Sequence, residues 1–192
     1  MDVTKAVRAI LLFCIVTKII AVDVCKHEII DKINKLNPRT ECILETNSAL
    51  GCITYYSATQ RDRSPGVKCV EGYVEPPCNN SANAYVIVNY DNPSTASIQQ
   101  GYKQYEEGKG YIKELDSSHN IYHLFYLNIP KVYCYHRCAY AANITDGWDF
   151  GAAAVAIGTQ DQPEVLKSIE ECKKKLKVAG IKDIVDVNYC TK

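Results

Sequence analysis

From residue 52 to residue 157 the sequence keeps returning to short runs rich in Tyr, Val and Ile, each closed by a cluster of turn-forming residues. Such runs are strands. β-Branched and aromatic side chains suit a pleated surface, while Gly, Pro, Asn, Asp and Ser suit the bends between. The pattern predicts strands near 52–59, 67–74, 84–90, 97–105, 109–115, 121–128, 132–141 and 150–157. The breaks are equally legible, for example Asp62-Arg63-Ser64-Pro65-Gly66, Glu75-Pro76-Pro77, Asp91-Asn92-Pro93-Ser94 and Ser117-Ser118-His119-Asn120. Eight strands joined this tightly predict a sandwich or an up-and-down barrel.

The period then changes. Val165, Ile169, Cys172, Leu176 and Val178 approximate an apolar helical stripe, which predicts a helix over Gln162–Val178. Pro163 suits its first turn, Asp161 is placed to cap it, and Gly180 to end it. A last strand, Ile184–Val187, leads to Cys190. One helix covers one face of a sheet, and closure removes the edges such a β-rich chain would expose. The expected class is therefore all-β: an eight-stranded antiparallel up-and-down barrel with one C-terminal α-helix packed outside. The barrel would span 49–158, and the helix and tail 159–192. Residues 22–48 read as a helical or irregular segment, with Ile29, Ile30, Ile33 and Leu36 at helical spacing and Asn37-Pro38 ending the run.

The N-terminus reads as a secretory leader. Lys5 and Arg8 precede the apolar run Ala9–Val16, and small Ala21 suits a cleavage site. Without residues 1–21, which carry Asp2, Lys5, Arg8 and Lys18, 19 basic and 21 acidic groups remain. That near balance argues against nucleic acid, whose phosphates call for a basic excess. Nine cysteines also remain, and an extracellular location would oxidise most of them. The odd count leaves a thiol free or paired with another molecule. Asn79 and Asn143 head N-glycosylation sequons. No later segment is apolar for long enough to span a bilayer.

The tail carries a resemblance. Gly147-Trp148-Asp149-Phe150 through Asp161-Gln162-Pro163-Glu164-Val165-Leu166 resembles the last barrel strand and helix start of lipocalins. Lys177-Val178-Ala179-Gly180-Ile181 and Val187-Asn188-Tyr189-Cys190 resemble their helix exit and final strand. Upstream, Ala49–Tyr56 sits where that family carries its Gly-x-Trp strand, and Gly66–Val70 matches its second strand. The likeness is to the apolipoprotein D group, insect bilin-binding proteins and crustacean carotenoid carriers. This chain departs from the pattern in carrying Ile53 in place of the Trp, and no Arg near Ile157 or Gly158. The resemblance implies the disulfides Cys134–Cys172, Cys25–Cys138 and Cys69–Cys190. Cys42, Cys52 and Cys78 are left over, with no pair favoured.

Catalysis is not expected. His27, His119, His123 and His136 lie in no nucleophile signature, and no Cys-x-x-Cys knuckle suggests a metal. No cofactor is implied. Tyrosine is the informative residue, at 14 against 3 Phe and 1 Trp. It buries an apolar ring and offers a hydroxyl, so an interior lined with it suits a mostly apolar ligand. Strand alternation puts Tyr122, Leu124 and Tyr126 on one face, and Tyr55, Tyr90 and Tyr102 complete the candidate ligand-binding set. The resemblance implies a secreted carrier of a small hydrophobic molecule: a pigment, retinoid, sterol or fatty acid. The alternative is an extracellular interaction protein, or a scavenger of biogenic amines or host factors of the salivary lipocalin type, acting through its loops. A partner protein or a homodimer is compatible with the odd cysteine.

Overall fold

A computed structural model describes residues 25–37, 43–59, 66–104, 110–117, 119–139 and 150–191. The expected leader, Cys42 and Asn143 lie outside these residues. Two helices come first, α1 (His27–Leu36) and α2 (Ile43–Ala49). Eight strands follow: β1 (Ile53–Thr59), β2 (Val67–Val74), β3 (Ser81–Tyr90), β4 (Thr95–Gln104), β5 (Tyr111–Asp116), β6 (Ile121–Ile129), β7 (Val132–Ala139) and β8 (Phe150–Ala156). Helix α3 (Pro163–Ala179) and strand β9 (Ile184–Asp186) end the chain. β3 and β4 each begin earlier than their apolar content predicts. Backbone pairing carries both to the hairpin ends, from Ser81↔Lys103 to Asn89↔Thr95, whatever the side chains.

From β1 to β8 each strand pairs antiparallel with its sequence neighbour, and β8 returns to β1. The barrel is closed by β1 pairing β2 at Ile53↔Gly72 and Thr54↔Glu71. Gly72 therefore sits between two strands, opposite Ile53 on one side and Val86 on the other. A Cβ there would run into the backbone carbonyl oxygen of Tyr85, so the close approach at the seam needs glycine. β9 extends the sheet along β1, with Ser57↔Asp186 and Thr59↔Ile184.

The outside of the barrel has two characters. Over β6, β7 and β8 it is apolar and covered by α1 and α3, whose Ile29, Ile33, Val165, Ile169 and Leu176 pack on Leu127, Cys134 and Ala153. β7 is consequently buried at every position, by the barrel interior on one face and the helices on the other. Over β4 the outward residues are polar and exposed, which gives the alternation of a one-sided strand. α1 ends at Asn37, whose side-chain amide donates to the Tyr126 carbonyl (3.0 Å) and accepts from the Asn128 amide (3.3 Å). α3 begins with Pro163 in its first turn and ends at Gly180 in the left-handed region (φ 108°). The cap expected from Asp161 is not formed. Gln162 occupies the N-cap without a side-chain bond, and the Asp161 carboxylate accepts instead from the Tyr189 hydroxyl at 3.3 Å.

α2 is an element that periodicity does not reveal. It has seven residues, and its first turn is completed from a distant strand: the Ile43 and Leu44 amides donate to Gln104 Oε1 at 2.9 and 3.3 Å. Ile43 and Leu44 enter the barrel cluster beside Ile53, which is buried where the resemblance would place a Trp. Three disulfides staple the outer elements to the barrel. Cys25–Cys138 ties the start of α1 to β7, Cys134–Cys172 ties α3 to β7, and Cys69–Cys190 ties the tail to β2. Cross-links spanning 113, 38 and 121 residues restrict the unfolded chain strongly, by about 4–5 kcal/mol each in the chain-entropy account. Cys52 and Cys78 are exposed free thiols.

The seam makes a controlled comparison. Gly101 has its nearest neighbour 3.9 Å from an added Cβ, whereas Gly72 meets backbone. In chemical denaturation Gly72→Ala is expected to lose about 2–4 kcal/mol. Gly101→Ala, which removes strand glycine without a clash, is expected to be neutral or stabilising by up to about 1 kcal/mol.

Candidate functional site

The barrel interior is lined by the inward half of each strand. On β6 this half is Tyr122, Leu124 and Tyr126, with 5%, 1% and 4% exposure. β4 contributes Tyr102 and Gln100, and β7 contributes Tyr133, Tyr135 and Arg137. β5 adds Ile112 and Glu114. Beside the tyrosines the wall is cut back to small residues, with Ala152 and Ala154 on β8 paired to Tyr135 and Tyr133, and Ala84 on β3 next to β4. α2 lies across one end, with Ile43 and Leu44 in the same cluster.

The candidate residues fall out as follows. Tyr102, Tyr122, Leu124 and Tyr126 all belong to this interior cluster, and Tyr55 packs against it half-buried. The Tyr55 and Tyr135 hydroxyls share a 2.7 Å hydrogen bond, with their rings edge-on at 6.5 Å. Tyr90 is not brought to the group. It is the last residue of β3, half-exposed and outside the cluster, because the strand has run to the rim of the barrel by then. Asn79 is exposed in the turn between β2 and β3.

Two interior residues have no signal in the sequence pattern strong enough to find them. Glu114 is 1% exposed and Arg137 6%. They form a two-pronged ion pair: Arg137 Nε donates to Glu114 Oε2 at 3.1 Å, and Nη2 to Oε1. Gln100 Nε2 donates to Glu114 Oε1 at 2.9 Å, and the Tyr102 hydroxyl donates to Gln100 Oε1 at 3.1 Å. The guanidinium carbon stands 3.5 Å from the centre of the Tyr122 ring, a cation–π contact. Burial pushes the Glu114 carboxyl above the ordinary carboxylate range, while the guanidinium draws it back. Burial by itself lowers the Arg137 pKa, yet Glu114 beside it carries it above its usual value, so the guanidinium stays charged. The interior thus holds two opposite charges that cancel, with their hydrogen-bonding capacity largely spent on one another.

The remaining chemistry is phenolic. Burial first, and then neighbouring Tyr and Glu groups, push the Tyr102 and Tyr133 hydroxyls well above their ordinary pKa. Burial and the adjacent Tyr55 do the same to Tyr135. Among the described residues no set of three or more His, Cys, Asp or Glu could hold a metal ion. His136 is fully buried on the outward side of β7, with Nδ1 3.1 Å from the Phe150 carbonyl oxygen.

Two measurements test this interior. Arg137→Met strands a buried carboxylate and is expected to cost about 3–5 kcal/mol. The double variant Glu114→Leu/Arg137→Met is expected to recover most of that loss in a thermodynamic cycle read by denaturation. The second is alkaline titration at the tyrosinate absorption band. The buried phenols have folded pKa values above the unfolded value of about 10. Their contribution to stability is therefore complete below that pH and falls as pH rises through the folded values. Tyr102, Tyr133 and Tyr135 are expected to ionise above that unfolded value and together with unfolding.

No protein-family model matches the sequence, and no curated protein does. The likeness is to solved structures. Lobster apocrustacyanin A1 superposes with a TM-score of 0.60 at 10% identity, over 92% of this chain and 94% of that one. The amine-binding protein of Rhodnius prolixus, in its tryptamine complex, gives 0.54 at 14% identity, over 71% and 76%. Japanin from Rhipicephalus appendiculatus, bound to cholesterol, gives 0.53 at 10% identity, over 79% and 97%. With eight antiparallel strands closed through β1, a short helix across one end and a single long helix outside, the chain has the fold of the lipocalins in a divergent sequence.

Proposed function

We propose that the protein is a secreted carrier that holds a small, mostly apolar molecule inside the barrel. The observation that carries this reading is the make-up of the inner wall, with tyrosine rings on β4, β6 and β7 set beside alanines on the neighbouring strands β3 and β8. Amphipathic rings set among small residues give an apolar interior that carries hydroxyls. Two barrels of similar shape hold small molecules, cholesterol in one and tryptamine in the other. Tyr55, Tyr102, Tyr122, Leu124 and Tyr126 would contact the ligand, with Tyr90 at the rim. Binding would be desolvation in a preformed cavity, with no catalytic step.

Secretion is supported by the leader-like N-terminus and by three disulfides, which persist in oxidising compartments. No helix among the described residues is long and apolar enough to cross a membrane. Amine scavenging is the weaker reading. A cationic ligand needs a free buried carboxylate, and Glu114 is already held by Arg137 and Gln100.

Native mass spectrometry of protein secreted from a eukaryotic host tests the proposal, beside the same sample denatured. The expected result is an additional mass that is released on denaturation. The denatured chain is expected to lack residues 1–21, to carry three disulfides and to lose mass on deglycosylation. A chain that arrives bare, and stays bare against sterols, retinoids, fatty acids and tetrapyrroles, would sink the carrier reading.

A further inference from the structure

Gly101 lies in the interior of β4, where the chain itself makes no use of a glycine. Its pairing with Asn83 on β3 and with Leu115 on β5 runs through without a bulge. Its backbone is not in the left-handed region, and the atom nearest to an added Cβ is a carbonyl oxygen 3.9 Å away. Glycine inside a strand weakens it, and one of its uses there is to let a ligand come close to the backbone. The position is on the outer face of the barrel. Tyr102, Glu114 and Tyr122 are buried inside, while Gly101, Lys103 and Leu115 alternate with them and are exposed. Over Gly101 the outer wall is hollowed into a cavity of about 550 Å³, bounded by the β2–β3 turn on one side and by Leu115 and Ile121 on the other. Small-molecule sites run from about 300 to 1,000 Å³.

The lining of this hollow has two chemistries. Lys103 and Lys113 stand directly opposite each other on β4 and β5. Like charges in that relation work against strand pairing. Lys113 is half-buried, and no carboxylate among the described residues forms an ion pair with it. Two residues along, a step of about 7 Å, Gly101 is opposite Leu115 and Leu115 is opposite Ile121. Leu115 is 44% exposed, a large apolar side chain left open to water. The carboxylate in the lining belongs to Glu75, at the far side. Its backbone amide donates to the Asn83 carbonyl (2.8 Å), and its side chain accepts from the Asn83 amide (2.9 Å). Asn83 in turn is opposite Gly101, which puts Glu75 two strand spacings, about 10 Å, from the floor of the hollow. An anion over the lysines would therefore meet cations first.

We propose that this hollow is a second binding site, on the outer wall of the barrel, for a small amphiphilic anion. A compact apolar body would lie over Gly101 against Leu115 and Ile121, and a single carboxylate, sulfate or phosphate would be received by Lys103 and Lys113. The site is separate from the barrel interior, since Tyr102 and Tyr122 lie on the opposite face of the same strands, and it does not depend on the carrier reading. The two spaces also differ in charge. Inside, Glu114 and Arg137 cancel; outside, two ammonium groups face one hollow.

The test uses one ring system with three head groups: naphthalenesulfonate, naphthylmethanol and naphthylmethylammonium. Each is titrated near neutral pH into the full secreted chain, its disulfides intact and its Ile and Leu methyl groups isotope-labelled. NMR then reads affinity and place together. The sulfonate is expected to bind about tenfold or more tightly than the ammonium compound, to shift the Leu115 and Ile121 methyls, and to weaken as salt is raised. Lys113→Gln is expected to weaken the sulfonate about fivefold to tenfold and to leave the alcohol unchanged. Gly101→Val, which puts a side chain on the floor of the hollow, is expected to weaken the sulfonate at least as much. An ammonium compound that binds as tightly as the sulfonate overturns the proposal. So does a sulfonate affinity unchanged in Lys113→Gln, or no shift at Leu115 and Ile121 at millimolar sulfonate. Shifts confined to Leu124 overturn it as well, and would favour the barrel interior instead. The ranking and the map of shifts in the natural chain need no variant, so a variant that fails to fold does not remove the test.

Discussion

The two-residue period of β7 organises the molecule. Successive side chains on a strand point to opposite faces. Along Val132–Ala139 this sends Cys134, His136 and Cys138 outward and Tyr133, Tyr135 and Arg137 inward. The outward set anchors both outer helices through Cys134–Cys172 and Cys25–Cys138. The inward set builds the tyrosine wall and half of the interior ion pair. A slip of one residue would exchange the two sets, putting thiols inside and a guanidinium beneath α3. The disulfides therefore fix the register of the binding wall as well as holding the helices. Pairing with β6 at Tyr126↔Tyr135 and Leu124↔Arg137 passes that register to the neighbouring strand.

The interior combines a large apolar surface with a small, fully engaged polar cluster. Glu114, Arg137, Gln100 and Tyr102 satisfy one another in sequence. Such a network fixes the positions of its members, because losing any one leaves the next desolvated and unpaired. Burial, and then the neighbouring phenols, hold the hydroxyls of Tyr102, Tyr133 and Tyr135 above their ordinary pKa. Ile53, at the start of β1 where the resemblance would place a Trp, shares the barrel cluster with Ile43 and Leu44 of α2.

Much of this could be read from the sequence, for reasons specific to each element. The strands were legible because turn clusters bound them, and α3 because Val165, Ile169, Cys172 and Leu176 repeat over about three turns. The face shared by Tyr122, Leu124 and Tyr126 followed from alternation within one strand, which needs no knowledge of neighbours. α2 was not legible, since seven residues with two apolar anchors make no period, and its cap comes from Gln104, 60 residues away. Glu114 could not be placed because its facing depends on the pairing Tyr102↔Glu114↔Tyr122, a relation among three strands. Arg137 sits between His136 and Cys138, where the cysteines carry the pattern and nothing marks a charge as inward. Tyr90 looked like its fellows by composition and differs only in where its strand ends.

The long-range disulfides carry a consequence for synthesis. Cys25 and Cys69 find their partners 113 and 121 residues later in the chain. On the secreted reading, neither native partner is available until most of the barrel has entered the oxidising compartment. Cys42, Cys52 and Cys78 are already present in that interval and are nearer in sequence than the native partners. Loop closure favours the nearer thiols. On that reading early non-native pairings are favoured by proximity, and thiol exchange is the step that turns them into the native set.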